Sequence, residues 1–127
     1  MHPIVAAAAL VAAAIHVWFF VLESILFMQP RVFRRFGLAS EDEARVVRSF
    51  AYNQGFYNLF LAAGAIGGVA KSLTGDPEGG VPVLLFACGS MVAAGIVLVT
   101  HNRGFARAAA VQVIPPLVAI AGFLLLR

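Results

Sequence analysis

A histidine and a glutamate lie seven residues apart in the apolar stretch HVWFFVLES, at His16 and Glu23. Imidazole and carboxyl groups are among the side chains that most often transfer protons in enzymes. In an α-helix, a seven-residue spacing places them on one face, about 10 Å apart along the axis. That separation leaves room for water, another side chain or a ligand. We therefore expect a catalytic acid/base pair whose two members do not bond each other directly.

A second polar group lies in the stretch AYNQGFYN, which holds three amides and a tyrosine. Helical i,i+4 spacing places Asn53 beside Tyr57, and the same spacing places Gln54 beside Asn58. Amide side chains can bind a ligand, or they can serve only as hydrogen bonds between membrane helices. Gly55 interrupts the row and predicts the close approach of another backbone.

The composition predicts that these polar groups lie in an integral membrane protein. Hydrophobic residues make up 61% of the 127-residue chain and charged residues 12%. In soluble domains, hydrophobic residues average roughly 45–50% and charged residues about 25%. Because so short a chain cannot bury that much apolar surface, the surplus is expected to face lipid.

Four hydrophobic segments, each near the ~20 residues that cross a bilayer, predict an all-α bundle of four transmembrane helices in one domain, residues 1–127. The predicted helices cover residues 4–28, 41–70, 82–100 and 105–126, to within a few positions. Ser40 followed by Glu43 is typical of a capping box at the start of the second helix. Pro82 suits the first turn of the third helix.

Basic residues are concentrated in two connections, residues 29–48 and 101–107, with Lys71 and Arg127 elsewhere. The positive-inside rule predicts that these connections are cytoplasmic and that both termini lie outside. We expect a multi-pass protein of the bacterial inner membrane. Basic groups beside membrane segments suit anionic lipid headgroups, so membrane lipids rather than nucleic acid are the expected partners. The expected headgroup contacts are Arg31, Arg34, Arg35 and Arg48.

The predicted depths of the polar groups indicate a shared pocket. Glu23, Asn53 and Gln112 all fall roughly 7–11 Å below the cytoplasmic surface, at 1.5 Å per helical residue. A pocket in the cytoplasmic half would then bind a small amphipathic molecule. One histidine with one carboxylate is a poor zinc site, and a Gly-rich nucleotide fingerprint is absent. We expect neither a metal nor another cofactor.

Three motifs resemble a known family. MHP at the start, H-x-W-F-F-x-L-E at 16–23 and N-Q-G-x-Y-N at 53–58 are similar to a family of small bacterial and fungal integral membrane proteins of unknown function. Some of its members carry an epimerase label. The resemblance covers essentially the whole chain and implies four transmembrane helices with a shared polar site. The residues it implies for that site are Glu23, Asn53, Gln54, Tyr57 and Asn58.

Three functions stay open on these observations. The first is acid/base chemistry, such as isomerisation or epimerisation, on a small amphipathic or lipid-like molecule. The second is proton-coupled transport, for which four helices are few, so that a homo-oligomer would be needed. The small-residue stretch at 64–68 favours close packing within the chain or between copies. The third is a structural or accessory subunit whose polar interior only holds helices together.

Overall fold

The structure, a computed structural model, describes residues 1–126, and it is built from helices. The α-helices in chain order are α1 (Pro3–Phe20), α2 (Pro30–Phe33), α3 (Glu41–Leu73), α4 (Pro77–His101) and α5 (Ala106–Leu125). A π-helical turn, Val21–Ile25, continues α1. The 3-10 turns are Arg34–Phe36, after α2, and Arg103–Phe105, before α5.

Within residues 1–126, four helical segments are long and apolar enough to cross a membrane. These segments are Pro3–Ile25, Glu41–Leu73, Pro77–His101 and Arg103–Leu125. The predicted all-α class with four membrane-spanning helices is confirmed, and the chain is a multi-pass membrane protein. Since α3 has 33 residues, it is about 50 Å long and exceeds the ~30 Å hydrocarbon layer.

The start of α3 is fixed by the predicted capping box. The Glu43 N–H donates to Ser40 Oγ at 3.2 Å. The Glu43 carboxylate in turn accepts from the backbone N–H of Ala39 at 2.8 Å, one residue before the expected position. Two otherwise unpaired donors at the helix start are thereby satisfied.

Helix α4 begins at Pro77, five residues earlier than expected. Asp76 is its N-cap, accepting the Gly79 N–H at 2.9 Å, and Pro77 occupies the first helical position, where no donor is needed. Pro82 therefore lies inside the helix rather than in its first turn. The connection between α3 and α4 is therefore three residues long, 74–76, shorter than the 71–81 left between the predicted helices.

The N-cap residue Asp76 also forms an ion pair with Lys71. Lys71 Nζ lies 2.8 Å from Asp76 Oδ2, and its hydrogen bond, followed by that of the Gly79 N–H, lowers the pKa of Asp76. Because the folded-state pKa is lowered, the stabilising contribution is present above the ordinary aspartate pKa. It is lost as the pH falls through the lowered folded-state value.

The residues group into two compact units, one of residues 1–15 with 61–126 and one of residues 16–60. The core of the first draws on α1, α3, α4 and α5: Val5, Ala9, Val69, Leu84, Cys88 and Ala119. The core of the second is Phe27, Phe33 and Ala44. Small residues in both cores let helix backbones approach closely, as is usual between membrane helices.

Two adjacent glycines of α3 have opposite surroundings, which gives a matched test of this packing. A Cβ on Gly68 would lie 2.7 Å from the Leu84 nitrogen and 2.8 Å from the Gly80 carbonyl oxygen. A Cβ on Gly67 would meet nothing within 4 Å.

We expect Gly68→Ala to destabilise the protein by about 1–3 kcal/mol, because backbone atoms of α4 would have to move. The control Gly67→Ala should stay within about 0.5 kcal/mol of wild type. Unfolding by titration with denaturing detergent measures both. Equal stability of the two variants would contradict the close contact of α3 with α4.

Candidate functional site

Glu23 lies in the π-helical turn Val21–Ile25 rather than in regular α-helix. The turn is marked by the bond from the Leu26 N–H to the Val21 carbonyl at 2.9 Å, an i→i−5 pattern. π-helical turns are rare and occur frequently at functional sites. Because the turn is wider than an α-helical one, seven residues no longer equal two turns. The predicted common face of His16 and Glu23 assumed regular α-helical spacing from residue 16 to residue 23, and it stays a prediction.

The Glu23 carboxyl is bonded to α3. Asn58 Nδ2 donates to Glu23 Oε2 at 2.7 Å, and Asn58 is only 7% exposed. A carboxyl group has two oxygens, and the amide engages one of them. The pair is the polar centre of the site.

Gly55 makes this approach possible. An ideal Cβ there would lie 3.2 Å from Glu23 Cβ and would collide with Ser24 Oγ. Ser24 Oγ itself donates to the Tyr52 carbonyl at 2.8 Å. The atoms nearest to this position belong to the side chains of Glu23 and Ser24, so the π-turn lies close to α3 at Gly55.

Aromatic rings of α1 and α3 pack on one another in the same unit. Phe56 of α3 lies with its ring 5.0 Å from that of Phe20, in an edge-to-face arrangement. The Tyr52 ring is 5.1 Å from Phe56, and the Phe60 ring is 6.3 Å from it. These spacings are favourable for aromatic pairs, and they join α1 to α3 within the unit of residues 16–60.

His16, the other predicted catalytic residue, is completely buried. Its imidazole is edge-on to the ring of Phe19, with 5.4 Å between ring centroids. Glu23, by contrast, is hydrogen-bonded to Asn58. A role for His16 in proton transfer stays a prediction.

The three remaining polar residues of the α3 motif point elsewhere. Asn53, Gln54 and Tyr57 are exposed on the surface of α3, and Tyr57 keeps 57% of its surface. The structure therefore brings Asn58 to Glu23 and leaves these three outside the pair. Their predicted role in ligand binding stays a prediction.

Gln112 belongs to the unit of residues 1–15 and 61–126. Its Nε2 donates to the Met91 carbonyl at 3.3 Å and so joins α5 to α4. Such a bond holds membrane helices together. A role for Gln112 in ligand binding stays a prediction.

The predicted headgroup arginines are all exposed: Arg31, Arg34, Arg35 and Arg48. Arg31 belongs to α2, whose Val32 and Phe33 are buried, so this short segment is polar on its outer side. Sequence reasoning missed the groove of about 360 Å³ on α3. Its lining residues are Arg45, Arg48, Ser49 and Tyr52. These four residues follow one another at i, i+3, i+4 and i+7, and this spacing could have predicted that they share one face of α3.

Comparison with known protein families matches residues 10–124 to DUF1304, described as a protein of unknown function. The chain belongs to the DUF1304 family. The match includes the motifs at 16–23 and 53–58, and the predicted resemblance to a family of small membrane proteins of unknown function is confirmed. No curated protein and no solved structure matches this member of the DUF1304 family.

Asn58 and Asn53 provide a matched test of the polar centre. We expect Asn58→Ala to lower the free energy of unfolding by about 1–3 kcal/mol, because a partly buried carboxyl loses its donor. Asn53→Ala removes the same group from an exposed position and should change stability by less than about 0.5 kcal/mol. Detergent-induced unfolding measures both variants. Equal effects would contradict the assignment of Asn58 as the partner of Glu23.

Proposed function

We propose that this protein binds a small amphipathic molecule beside Glu23 and transfers a proton on it through the Glu23 carboxyl. The observation that carries the proposal is the Asn58–Glu23 hydrogen bond at 2.7 Å, made from a π-helical turn. Ionisable groups within membrane segments usually serve a function, because they are expensive to keep there. Exposed apolar side chains on the same helix as Asn58, such as Phe60, suit an amphipathic molecule.

The chemistry needs only a proton carrier. The Glu23 carboxylate takes a proton from a C–H bond next to an electron-withdrawing group, and the bonding pair stays on the substrate. The resulting carboxylic acid returns a proton to another carbon or to the other face of the same carbon. The product is an isomer of the substrate, so no electrons, cofactor or second substrate are consumed. Positioned acid/base groups contribute typically 10²–10⁴-fold to such steps.

Asn58 acts as a positioning residue in this proposal. By donating to one carboxyl oxygen, it fixes the plane of the Glu23 side chain and leaves the other oxygen to face the substrate. Gly55 and the Ser24–Tyr52 bond hold the backbone on either side. We further propose that the protein works in the bacterial inner membrane, with its arginine-rich connections in the cytoplasm.

The test uses wild-type protein in lipid nanodiscs, incubated in D₂O with the total polar lipid extract of the expression host. We expect one lipid class to gain deuterium at carbon and, once extracted from the protein, to keep it in H₂O. Glu23→Gln should lower the labelling rate by about 10² or more. Mass spectrometry of the extracted lipids gives the rate.

Glu78→Gln is the matched control, because Glu78 is an exposed glutamate in the first turn of α4. It should label lipid at the wild-type rate. Labelling by Glu23→Gln at the wild-type rate would contradict the proposal, and so would the absence of any label with wild type. Either result would leave the pair as a hydrogen bond that only joins helices.

A further inference from the structure

A groove on α3 is lined by two arginines and two hydroxyl-bearing side chains. It has a volume of about 360 Å³ and is lined by Arg45, Arg48, Ser49 and Tyr52. The spacing i, i+3, i+4 and i+7 places all four side chains on one helix face. Guanidinium forks and hydroxyl groups are the donors that recognise phosphate oxygens, and arginine binds them in bidentate fashion.

The arginines of the groove are available to an anion. Arg48 is exposed and forms no ion pair within residues 1–126. Arg45 pairs with Glu41, and both side chains are more than half exposed. Such surface pairs contribute little, and the contact uses one of the guanidinium nitrogens, so other N–H groups of Arg45 remain for a second acceptor.

The position of the groove along α3 matches the headgroup layer. Residues 49–70 carry no charge, and they are bordered by Arg48 and Lys71. About 20 residues cross the hydrocarbon layer, so Arg48 falls at its edge and Arg45 one turn beyond. Tyr52 lies one turn inside, where tyrosine is enriched at membrane interfaces.

An apolar strip continues from the groove on the same helix face. The rings of Tyr52, Phe56 and Phe60 follow at i+4 intervals, with 5.1 Å and 6.3 Å between successive centroids. Phe60 keeps 62% of its surface exposed. A molecule with a phosphate at one end and a hydrocarbon chain at the other matches both parts.

We infer that this face of α3 is a binding site for an anionic phospholipid. Arg45, Arg48 and the Ser49 hydroxyl hold its phosphate, and an acyl chain lies along the strip of Tyr52, Phe56 and Phe60. The site goes beyond the proposed function, since it is a second site with a named class of ligand. It does not require Glu23 to transfer a proton.

The test is a titration of the detergent-solubilised protein with dioleoyl phosphatidylglycerol, followed by native mass spectrometry. We expect the double variant Arg45→Gln/Arg48→Gln to bind the lipid at least about tenfold more weakly than wild type. The control Arg103→Gln/Arg107→Gln removes the same charge from exposed positions and should bind as wild type. Equal weakening in both double variants, or none in the first, would overturn the site.

Two further probes identify the source of the phosphate. Dioleoylglycerol lacks the phosphate and glycerophosphoglycerol lacks the chains, so both should bind more weakly than the intact lipid. If glycerophosphoglycerol binds as well as the lipid, the acyl strip is excluded and the inference fails. Glu23→Gln should bind the lipid as wild type, so this variant separates the lipid site from the proton-transfer proposal.

Discussion

The hydrogen bond between Asn58 and Glu23 is the interaction on which the proposed chemistry of residues 16–60 depends. An ionisable group in a membrane segment must find a polar partner, because hydrocarbon offers none. Asn58 supplies that partner at 2.7 Å. Its amide can reach the carboxyl because Gly55 carries no side chain between the two backbones. The π-helical turn presents Glu23 at this point of contact.

Tyr52 connects the two sites proposed for this protein. Its backbone carbonyl accepts the Ser24 hydroxyl beside Glu23, whereas its side chain lines the arginine groove. Its ring also contacts Phe56, which packs on Phe20. A lipid held in the groove would therefore lie along the same stretch of α3 that holds the acid. The long α3 makes this arrangement possible, since its first turns extend beyond the hydrocarbon layer.

The sequence predicted what depends on hydropathy and on local chemistry. The four spans, the Ser40 cap and the close approach at Gly55 follow from such signals. The π-turn could not be predicted, because nothing in the residues VLESI distinguishes a π-turn from an α-helix. Whether Asn58 or Asn53 bonds Glu23 depends on the rotation of α3 about its axis. Neighbouring amides along the motif do not fix that rotation from the sequence. The early start of α4 was missed because Pro82 competed with the stronger signal of Asp76 followed by Pro77.

A double-mutant cycle in unfolding free energy tests the central interaction most directly. It compares wild type with Glu23→Ala, Asn58→Ala and the double variant, in one detergent and at one pH. We expect a coupling energy of at least about 0.6 kcal/mol, the average for hydrogen bonds between membrane helices. Additive effects of the two substitutions, with a coupling energy near zero, would contradict this interaction.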